Sequence, residues 1–152
     1  MDRTDRRLVE ALRANGRLSW AELGRLVGMS GPSVQERVRR LEDRGVLRGY
    51  HAVVDPERVG LGTSALVGLF QGDDTETDDV VEAVRQVPAV EDCWFVAGDA
   101  ELVVKVRVPD VAALEATVGV LRKVRGVIRT RTTVVLSTRW EGRPAPLPDD
   151  ED

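Results

Sequence analysis

Residues 16–49 constrain the fold more than any other stretch, because signals that start and stop helices alternate there at short spacing. Ser19 followed three residues later by Glu22 has the form of a capping box, which is typical of a helix start. Gly28 ends that helix after about two turns. Ser30 is a favourable N-cap for the next helix, so only a tight turn separates the two. Two short helices joined in this way are predicted to fold against each other.

The second helix of this pair carries an apolar stripe and a basic outer face. Val34, Val38 and Leu41 recur at steps of four and three residues, which places them on one side of a helix. Gly45 is predicted to end it as a C′ residue. A further amphipathic helix is predicted over residues 3–14. Three short helices with apolar faces can enclose one small core, which is the arrangement of a helix-turn-helix unit over residues 1–50.

Arginines crowd the outer face of the third helix. Arginine binds guanine bidentately or grips phosphate, and residues near the start of a recognition helix usually reach base edges. Base contacts are therefore expected from Ser33, Gln35 and Arg37, and phosphate contacts from the remaining arginines. The candidate DNA-binding residues are Ser30, Ser33, Gln35, Arg37, Arg39, Arg40 and Arg48. The alternative is an ordinary solvated face, on which acidic residues of the same helix pair with the arginines.

The charge distribution favours the N-terminal half as the one that faces nucleic acid. The whole chain has a net charge of −4, yet residues 1–60 carry 12 arginines against nine acidic residues. The remainder is acidic, and charge asymmetry of this kind indicates a half that faces nucleic acid. Because the positive excess is small, one copy is expected to bind DNA weakly and assembly is expected to add avidity.

Several other classes of protein are disfavoured by composition. Cys93 is the only cysteine, so it has no disulfide partner within the chain, and it is expected to be a small buried core residue. His51 is the only histidine, which leaves no cluster of imidazoles for a metal or a catalytic relay. No apolar run reaches the length of about 18 residues that a membrane helix needs, and no secretory signal is apparent. Neither catalytic nor metal-binding residues are predicted, and a cytoplasmic location is expected.

The second half of the chain alternates between strand and helix periodicity. Strands are predicted over residues 64–70, 90–96, 101–108 and 127–136, and helices over residues 78–86 and 111–123. This βαββαβ order is ferredoxin-like, a four-stranded sheet with both helices on one face. The strands are apolar on both sides, so the second face of the sheet is expected to meet another subunit.

Two further segments complete the predicted organisation. Residues 46–54 alternate like a strand, and residues 51–62, with an Asp-Pro pair and two glycines, are predicted to form a β-hinge or linker between domains. The ferredoxin-like domain then covers residues 63–140. Residues 141–152 hold three prolines before a run of acidic residues and are predicted to form a mobile tail. The fold class is therefore α+β, with two domains.

Five motifs in this order carry a family resemblance: DRTDRRLVEAL, NGRLSWAELGRLVGMS, SGPSVQERVRRLEDRGVLRGYHAVVDPERVGLG, GDAELVV and RGVIRTRTTVVL. Together they resemble the Lrp/AsnC, or feast/famine, family of prokaryotic transcriptional regulators over residues 1–140. The resemblance implies an N-terminal winged helix-turn-helix domain, a β-hinge and a ferredoxin-like domain for effector binding and oligomerisation. It also implies homodimers that assemble into tetramers or octamers, and small amino acids as effectors in place of a cofactor.

The resemblance also implies an amino-acid pocket at a subunit interface, formed by the loop after the second strand and by threonines of the last strand. The corresponding residues here are Gly98, Asp99, Ala100, Glu101, Thr130 and Thr132. An aspartate can pair with an α-amino group, and a glycine lets backbone approach a ligand. The family loop usually reads Gly-Asp-Tyr-Asp, so Ala100 and Glu101 depart from it. The departure either enlarges the pocket or removes amino-acid binding, in which case the loop is a plain β-turn.

The expected function is that of an oligomeric, sequence-specific DNA-binding transcriptional regulator, modulated by a small amino acid or a related metabolite. Its expected partners are double-stranded DNA, copies of itself and the small-molecule effector, with no membrane. One alternative is an architectural DNA-binding protein that responds to no effector. A remote alternative is a tetrapyrrole decarboxylase on a similar scaffold, which the single histidine disfavours.

Overall fold

The computed structural model describes residues 1–148 and divides the chain into two compact units. One unit comprises Met1–Val53 together with the chain from Trp140 onward, and the other comprises Val54–Arg139. Three α-helices build the first unit, and a four-stranded sheet with two α-helices builds the second. The predicted α+β class is therefore confirmed. Within residues 1–148, no helix is long and apolar enough to cross a membrane.

Each of the three helices of the first unit begins at a residue whose side chain caps it. They are α1 (Arg3–Ala14), α2 (Trp20–Val27) and α3 (Gly31–Asp43). The side chain of Asp2 caps α1 by accepting a hydrogen bond of 2.8 Å from the backbone N–H of Asp5. Ser19 and Glu22 complete a capping box at α2, and Ser30 caps α3. Side-chain caps of this kind satisfy backbone N–H groups that a helix start leaves without intrahelical partners.

Buried apolar side chains from all three helices form the core of the first unit. They are Leu8, Leu12, Leu23, Val34 and Val38. Each such side chain stabilises the fold by roughly 1.5–3 kcal/mol relative to leaving it exposed. The turn between α2 and α3 depends on Gly28, which adopts a left-handed φ of 72° that other residues rarely take. This turn lets α3 begin close behind α2.

The second unit has the predicted βαββαβ order. Its elements are β1 (Thr63–Gln71), α4 (Thr77–Arg85), β2 (Val90–Phe95), β3 (Leu102–Val108), α5 (Val111–Leu121) and β4 (Val127–Val135). The strands are antiparallel to their neighbours in the order β2-β3-β1-β4, so β1 and β3 are central. This order is the ferredoxin-like one expected from the sequence.

The two faces of the sheet differ, because successive side chains of a strand point to opposite sides. Val67 and Val104 face each other across β1 and β3 and are fully buried in the core with α4 and α5. The face away from the helices is not purely apolar as predicted. There Lys105 and Arg107 pair with Glu91 at 2.6 and 2.7 Å. These strands combine apolar side chains with a charged network on that face.

The segment between α3 and β1 differs from the prediction. Residues 46–54 form no strand, and the regular element in this segment is a short 3₁₀-helix, Glu57–Val59. The side chain of Val53 is fully exposed. A strand needs a neighbouring strand to satisfy its backbone groups, and none among residues 1–148 pairs with this segment. In a single chain the predicted β-hinge at residues 51–62 is therefore an irregular linker, and residues 1–62 contain no wing hairpin.

Cys93 also lies differently from the prediction. It is exposed, not buried in the core. The reason is its position on β2, which forms one edge of the sheet and has a neighbouring strand only on the side of β3. Sequence alternation identifies a strand but does not show whether that strand ends up central or at an edge.

Residues 145–148 lie against the first helix. Arg13 of α1 donates a hydrogen bond of 2.5 Å to the carbonyl oxygen of Ala145, and Arg6 donates one to the carbonyl oxygen of Pro148. Residues 141–148 contain no helix or strand. The two hydrogen bonds nevertheless hold this segment beside α1, whereas the sequence predicted a mobile tail. The rest of the predicted mobile tail, residues 149–152, lies outside the described residues.

Candidate DNA-binding surface and effector loop

The first half of α3 has exposed polar side chains on one side and buried apolar side chains on the other. Ser33 and Gln35 are exposed, whereas Val34 and Val38 are fully buried on the opposite side. The hydroxyl oxygen of Ser33 lies 2.8 Å from that of Ser30, the N-cap. These hydroxyls therefore sit at the start of the helix, where a recognition helix usually meets base edges. Two of the three predicted base-reading side chains, Ser33 and Gln35, are therefore accessible in the way that this role requires.

The arginines assigned to phosphate contacts are also accessible. Arg39, Arg40 and Arg48 are exposed. Nε of Arg39 lies 3.8 Å from a carboxylate oxygen of Asp43, with both side chains about two-thirds exposed. An exposed ion pair of this kind is worth little, so its guanidinium can turn to a phosphate at small cost. The pairing of Arg39 with Asp43 is therefore too weak to prevent Arg39 from contacting DNA.

Arg37 differs from Ser33 and Gln35 because its guanidinium is paired with carboxylates of the first helical unit. Its Nη1 atom is 2.6 Å from a carboxylate oxygen of Asp2 and 2.7 Å from one of Asp5, and its side chain is 25% exposed. The reason is its place in the helix period, three residues after Val34, which turns it towards α1. The two carboxylates at the start of α1 then hold its guanidinium. Arg37 therefore ties α3 to α1 in the structure of the single chain, and its contact with a base stays a prediction.

The pKa values of Asp2 and Arg37 are both shifted in the folded protein. The pKa of Asp2 is held below its usual value, first by the hydrogen bond from the backbone N–H of Asp5 and then by the one from Arg37. The pKa of the Arg37 guanidinium is raised by hydrogen bonding to Asp2 and Asp5. The charged forms of both partners are thus favoured in the folded protein.

The loop between β2 and β3 packs closely onto the sheet. Ala100 is buried, and a Cβ built on Gly68 of β1 would lie 3.2 Å from the Cβ of Ala100. The carboxylate of Glu101 accepts a hydrogen bond of 3.0 Å from the backbone N–H of Gln71. Both residues that depart from the family pattern therefore hold the loop in place. Gly98 remains exposed at the tip.

Asp99 is the exposed acidic group of this loop, and it faces a basic strand. Its Oδ2 atom lies 3.4 Å from both Nη atoms of Arg131 on β4, and both side chains are mostly exposed. Arg129, on the same face of β4, lies with its guanidinium carbon 3.7 Å from the ring centre of Phe70. That distance is within the range of a cation–π contact. An aspartate, two arginines and an aromatic ring are thus gathered beside the loop.

Within one chain the predicted threonines lie on the other side of the sheet. Thr132 is paired with Val67, which faces the helices, whereas Arg131 is paired with Gly68, which faces the loop. Thr132 instead lines an open groove of about 430 Å³ between β4 and α5. Thr130 shares its face, since the residues of a strand alternate. The structure therefore brings Gly98, Asp99, Ala100 and Glu101 together but does not bring them to Thr130 and Thr132.

Arg131 and Phe70 were not among the predicted site residues. The alternating sequence Arg129-Thr130-Arg131-Thr132 signals that arginines share one face of the strand and threonines the other. That pattern does not show which face meets the loop, because the register of β4 on β1 decides it. Among residues 1–148 no group of three metal-ligating side chains is close enough to hold a metal ion.

A helix-turn-helix unit joined to a ferredoxin-like unit defines a class of DNA-binding regulators with a separate ligand-binding domain. Residues 1–42 match the AsnC-type helix-turn-helix domain, and residues 64–145 match the Lrp/AsnC ligand-binding domain. The chain therefore belongs to the Lrp/AsnC family. It is a transcriptional regulator and not an enzyme, in agreement with the expected function.

Named relatives match almost the whole chain. The HTH-type transcriptional regulator LrpA of Mycobacterium tuberculosis is 41% identical over 143 residues, which cover 94% of this chain and 95% of the relative. The leucine-responsive regulatory protein of Escherichia coli is 38% identical over 141 residues, covering 90% and 85%. Among solved structures, a feast or famine regulatory protein of M. tuberculosis complexed with L-methionine matches with a TM-score of 0.89 at 41% identity, covering 95% of this chain and 97% of that one.

Proposed function

We propose that this regulator binds double-stranded DNA through α3 as an oligomer, and that a free amino acid bound at the loop 98–101 changes its occupancy of DNA. The observation that carries the first part is the two-sided character of α3. Val34, Val38 and Leu41 seal its inner side, while Ser33 and Gln35 stay accessible on its outer side. A helix built in this way can enter the major groove without disturbing its own core.

Three exposed arginines supply the electrostatic part of DNA binding. Arg39, Arg40 and Arg48 follow the base-reading residues along the chain and can neutralise phosphates. A dimer would present six such groups. Neutralising roughly six phosphates predicts that log K falls with log[salt] at a slope of about −5. The base-reading role rests on Ser33 and Gln35, with Ser30 at the helix start.

The effector part is supported by the geometry of the loop and by a relative. Asp99 is an exposed carboxylate on a loop anchored by Ala100 and Glu101, so an α-ammonium group can reach it. A protein 41% identical to this one was solved in complex with L-methionine. An amino acid of that kind is the effector class that we propose here, with no cofactor.

Two observations support assembly of several copies. The loop 98–101 and Thr132 lie on different faces of one sheet, so a pocket that uses both takes them from different subunits. Residues 46–54 have a strand pattern but no partner strand in the part of the chain that the structure describes. A second copy can supply the missing backbone partners. We infer a homodimer as the basic unit, with tetramers or octamers built from it.

The experiment that tests the DNA-binding part is selection of sheared genomic DNA by the purified full chain, sequenced with and without the twenty amino acids. Discrete retained sites that change with the amino acids support both parts of the proposal. Retention that is even along the genome and indifferent to amino acids would instead support an architectural DNA-binding protein. A competition series at rising salt then measures the slope.

Matched substitutions separate the roles of individual side chains in the same assay. Gln35→Ala is expected to relax base preference, and Arg40→Gln to weaken all sites evenly and to reduce the salt slope by about one per subunit. Arg85→Gln, on the exposed end of α4 in the other unit, removes the same charge and should leave DNA binding unchanged. Asp99→Ala should keep DNA binding and lose the response to amino acids. A normal response in that variant would refute the assignment of the loop.

A further inference from the structure

We propose that the C-terminal segment of this chain competes with DNA for the arginines of its own helical unit. Residues 145–148 dock along α1 in this mechanism, and the acidic residues that follow them in the sequence supply the competing charge. Those residues are Asp149, Asp150, Glu151 and Asp152. The inference rests on the proposed binding of DNA by α3 and adds a regulation of that binding by the chain itself.

The docked segment follows one face of α1 towards its N-terminus. Arg13, in the last turn of α1, donates a hydrogen bond of 2.5 Å to the carbonyl oxygen of Ala145, and Arg6 donates one to that of Pro148. Residues seven apart lie on the same side of a helix, and the helix rises by about 10 Å between them. Three extended residues span about the same distance. The segment therefore runs antiparallel to α1 and reaches the first half of that helix.

The composition of the segment suits docking in an extended form. Pro144, Pro146 and Pro148 each hold φ at about −65°, which limits the conformational freedom that is lost when the segment is ordered. Proline has no backbone N–H, whereas its carbonyl oxygen can accept from an arginine side chain, as that of Pro148 does. Leu147, between the two bonded residues, is partly buried. The segment can thus be held at α1 at a small cost in entropy.

The net charges of the helices and of the C-terminal segment cancel. Residues 1–53 carry 11 arginines against seven acidic residues, which gives a net charge of +4 with the histidine neutral. Residues 140–152 carry one arginine against five acidic residues, a net charge of −4. The described part of this segment belongs to the same compact unit as the helices. Because positive charge attracts a protein to the phosphates of DNA, the segment removes the attraction that the helices alone would have.

The segment also ends close to arginines of α3. Asp2 and Arg6 are four residues apart and are therefore neighbours on α1, and Asp2 holds Arg37 at 2.6 Å. An open groove of about 270 Å³ beside this ion pair is also lined by Arg40 and Arg44. Neither of these two arginines is paired with an acidic side chain of residues 1–148.

The length of chain after residue 148 is sufficient for its charges to act on these arginines. Four residues span at most about 14 Å. Unscreened charges act over a Debye length of about 10 Å at roughly 0.1 M salt. Because the four carboxylates are part of the same chain, they also compete at a high effective concentration, which a free peptide would not have.

The experiment compares wild type with a variant of the full chain in which the four acidic residues are replaced by amides. This amide variant carries Asp149→Asn, Asp150→Asn, Glu151→Gln and Asp152→Asn. Filter binding of labelled, sheared genomic DNA at rising salt measures the affinity. The amide variant is expected to bind DNA roughly tenfold more tightly at low salt, since exposed charge pairs contribute little singly but four are removed together. The gain should shrink as salt is raised, because salt screens exposed charges.

A matched control removes the same four charges from the other unit. It carries Asp73→Asn, Asp74→Asn, Glu76→Gln and Asp78→Asn, at exposed positions around the start of α4. The net charge of the whole chain changes equally, but nothing changes beside α1, so the affinity for DNA should rise by at most about twofold. Sedimentation velocity and thermal melting establish that the three proteins are compared folded and in the same assembly state.

Arg13→Ala tests the docking itself, because it removes the hydrogen bond to Ala145. Arg17→Ala is its charge control, since Arg17 is also exposed and follows α1 in the sequence. Each substitution is made in wild type and in the amide variant. Arg13→Ala should weaken DNA binding in the amide variant more than in wild type, where release of the segment offsets the lost charge. Arg17→Ala should have equal effects in the two backgrounds.

The outcomes separate this inference from the proposed function. A gain below about twofold in the amide variant, or an equal gain in the matched control, overturns competition by the segment and leaves DNA binding through α3 intact. Equal effects of Arg13→Ala in both backgrounds overturn the docking along α1 and the proposal with it. If neither wild type nor the amide variant binds DNA, the proposed function and the inference are both overturned.

Discussion

The guanidinium of Arg37 on α3 lies 2.7 Å from the carboxylate of Asp5 on α1, in a contact that is partly buried. Asp2, at the start of α1, holds the same Nη1 atom at 2.6 Å. One arginine thus fixes the candidate recognition helix to the first helix of the unit. Removing Arg37 should therefore lower the stability of the protein, which the loss of a residue that contacts only DNA would not do.

Arg37→Gln is expected to destabilise the protein by about 1–3 kcal/mol, because it leaves two carboxylates close together without their shared cation. Urea denaturation measures the change. The double variant Arg37→Gln with Asp5→Asn should recover part of the loss, since the uncompensated charge is then removed. Unchanged stability combined with altered base preference would show that Arg37 contacts DNA after all.

Stability at acid pH should depend on Asp2. Its pKa is lowered in the folded state from the ordinary value of 3.8. The stabilisation is therefore present above that value and is lost as pH falls through the lower, folded pKa. Asp2→Asn keeps an effective N-cap but does not titrate, so its stability should vary less with pH below about 5. Denaturation curves between pH 2 and 7 compare the two proteins; parallel pH profiles would contradict the prediction.

Gly24→Ala is expected to destabilise the helical unit by about 1–3 kcal/mol through overpacking. A Cβ at this position of α2 would lie 2.5 Å from the carbonyl oxygen of Met29, and backbone cannot move aside as a flexible side chain would. Gly119→Ala in α5 is the control, because its Cβ would meet nothing within 4 Å. That change should stabilise the helix by about 0.5–1 kcal/mol. Thermal melting of both variants tests the contrast, and equal shifts would contradict it.

At alkaline pH, stability should depend on Tyr50. Its hydroxyl donates a hydrogen bond of 2.8 Å to Glu42, and burial together with this carboxylate raises the pKa of Tyr50 to about 12. Because the folded pKa lies above the ordinary value of 10.0, the stabilisation is present below pH 10 and is lost as pH rises towards 12. Tyr50→Phe should be less stable than wild type near neutrality, and the gap should narrow above pH 10. Circular dichroism during denaturation measures both; a constant gap would contradict the assignment.

Much of the candidate DNA-binding surface could be predicted because its determinants are local. Ser19 and Glu22 form the capping box, Gly28 makes the turn, and the inner stripe of α3 is buried, as their spacing predicts. The contact of Arg37 with α1 was not predicted, because the helix period shows only that Arg37 flanks the apolar stripe. Whether that flank faces solvent or α1 depends on how the helices pack, and two carboxylates of α1 settle it.

The position of the candidate effector loop between two strands was predicted from the sequence, but its neighbours in the fold were not. Gly98–Glu101 joins β2 and β3 as predicted, yet Arg131 and not Thr132 faces it in the same chain. Because side chains alternate along a strand, residues 129 and 131 must lie on the same face of the sheet. Which face that is depends on the register of β4 on β1. A shift of one residue in that register would exchange the two sets.

By itself, the sequence determined the elements whose signals are short in range: three capped helices, the βαββαβ order, and a basic face on the last helix of the first unit. Only the tertiary structure decided which side chains meet across elements, such as Arg37 with Asp5 and Arg131 with Asp99, and which strand forms an exposed edge at Cys93. The physical reason is that caps and periodicity arise from neighbours within one or two turns. Contacts between elements depend on packing and register, which residues far apart in the chain set together.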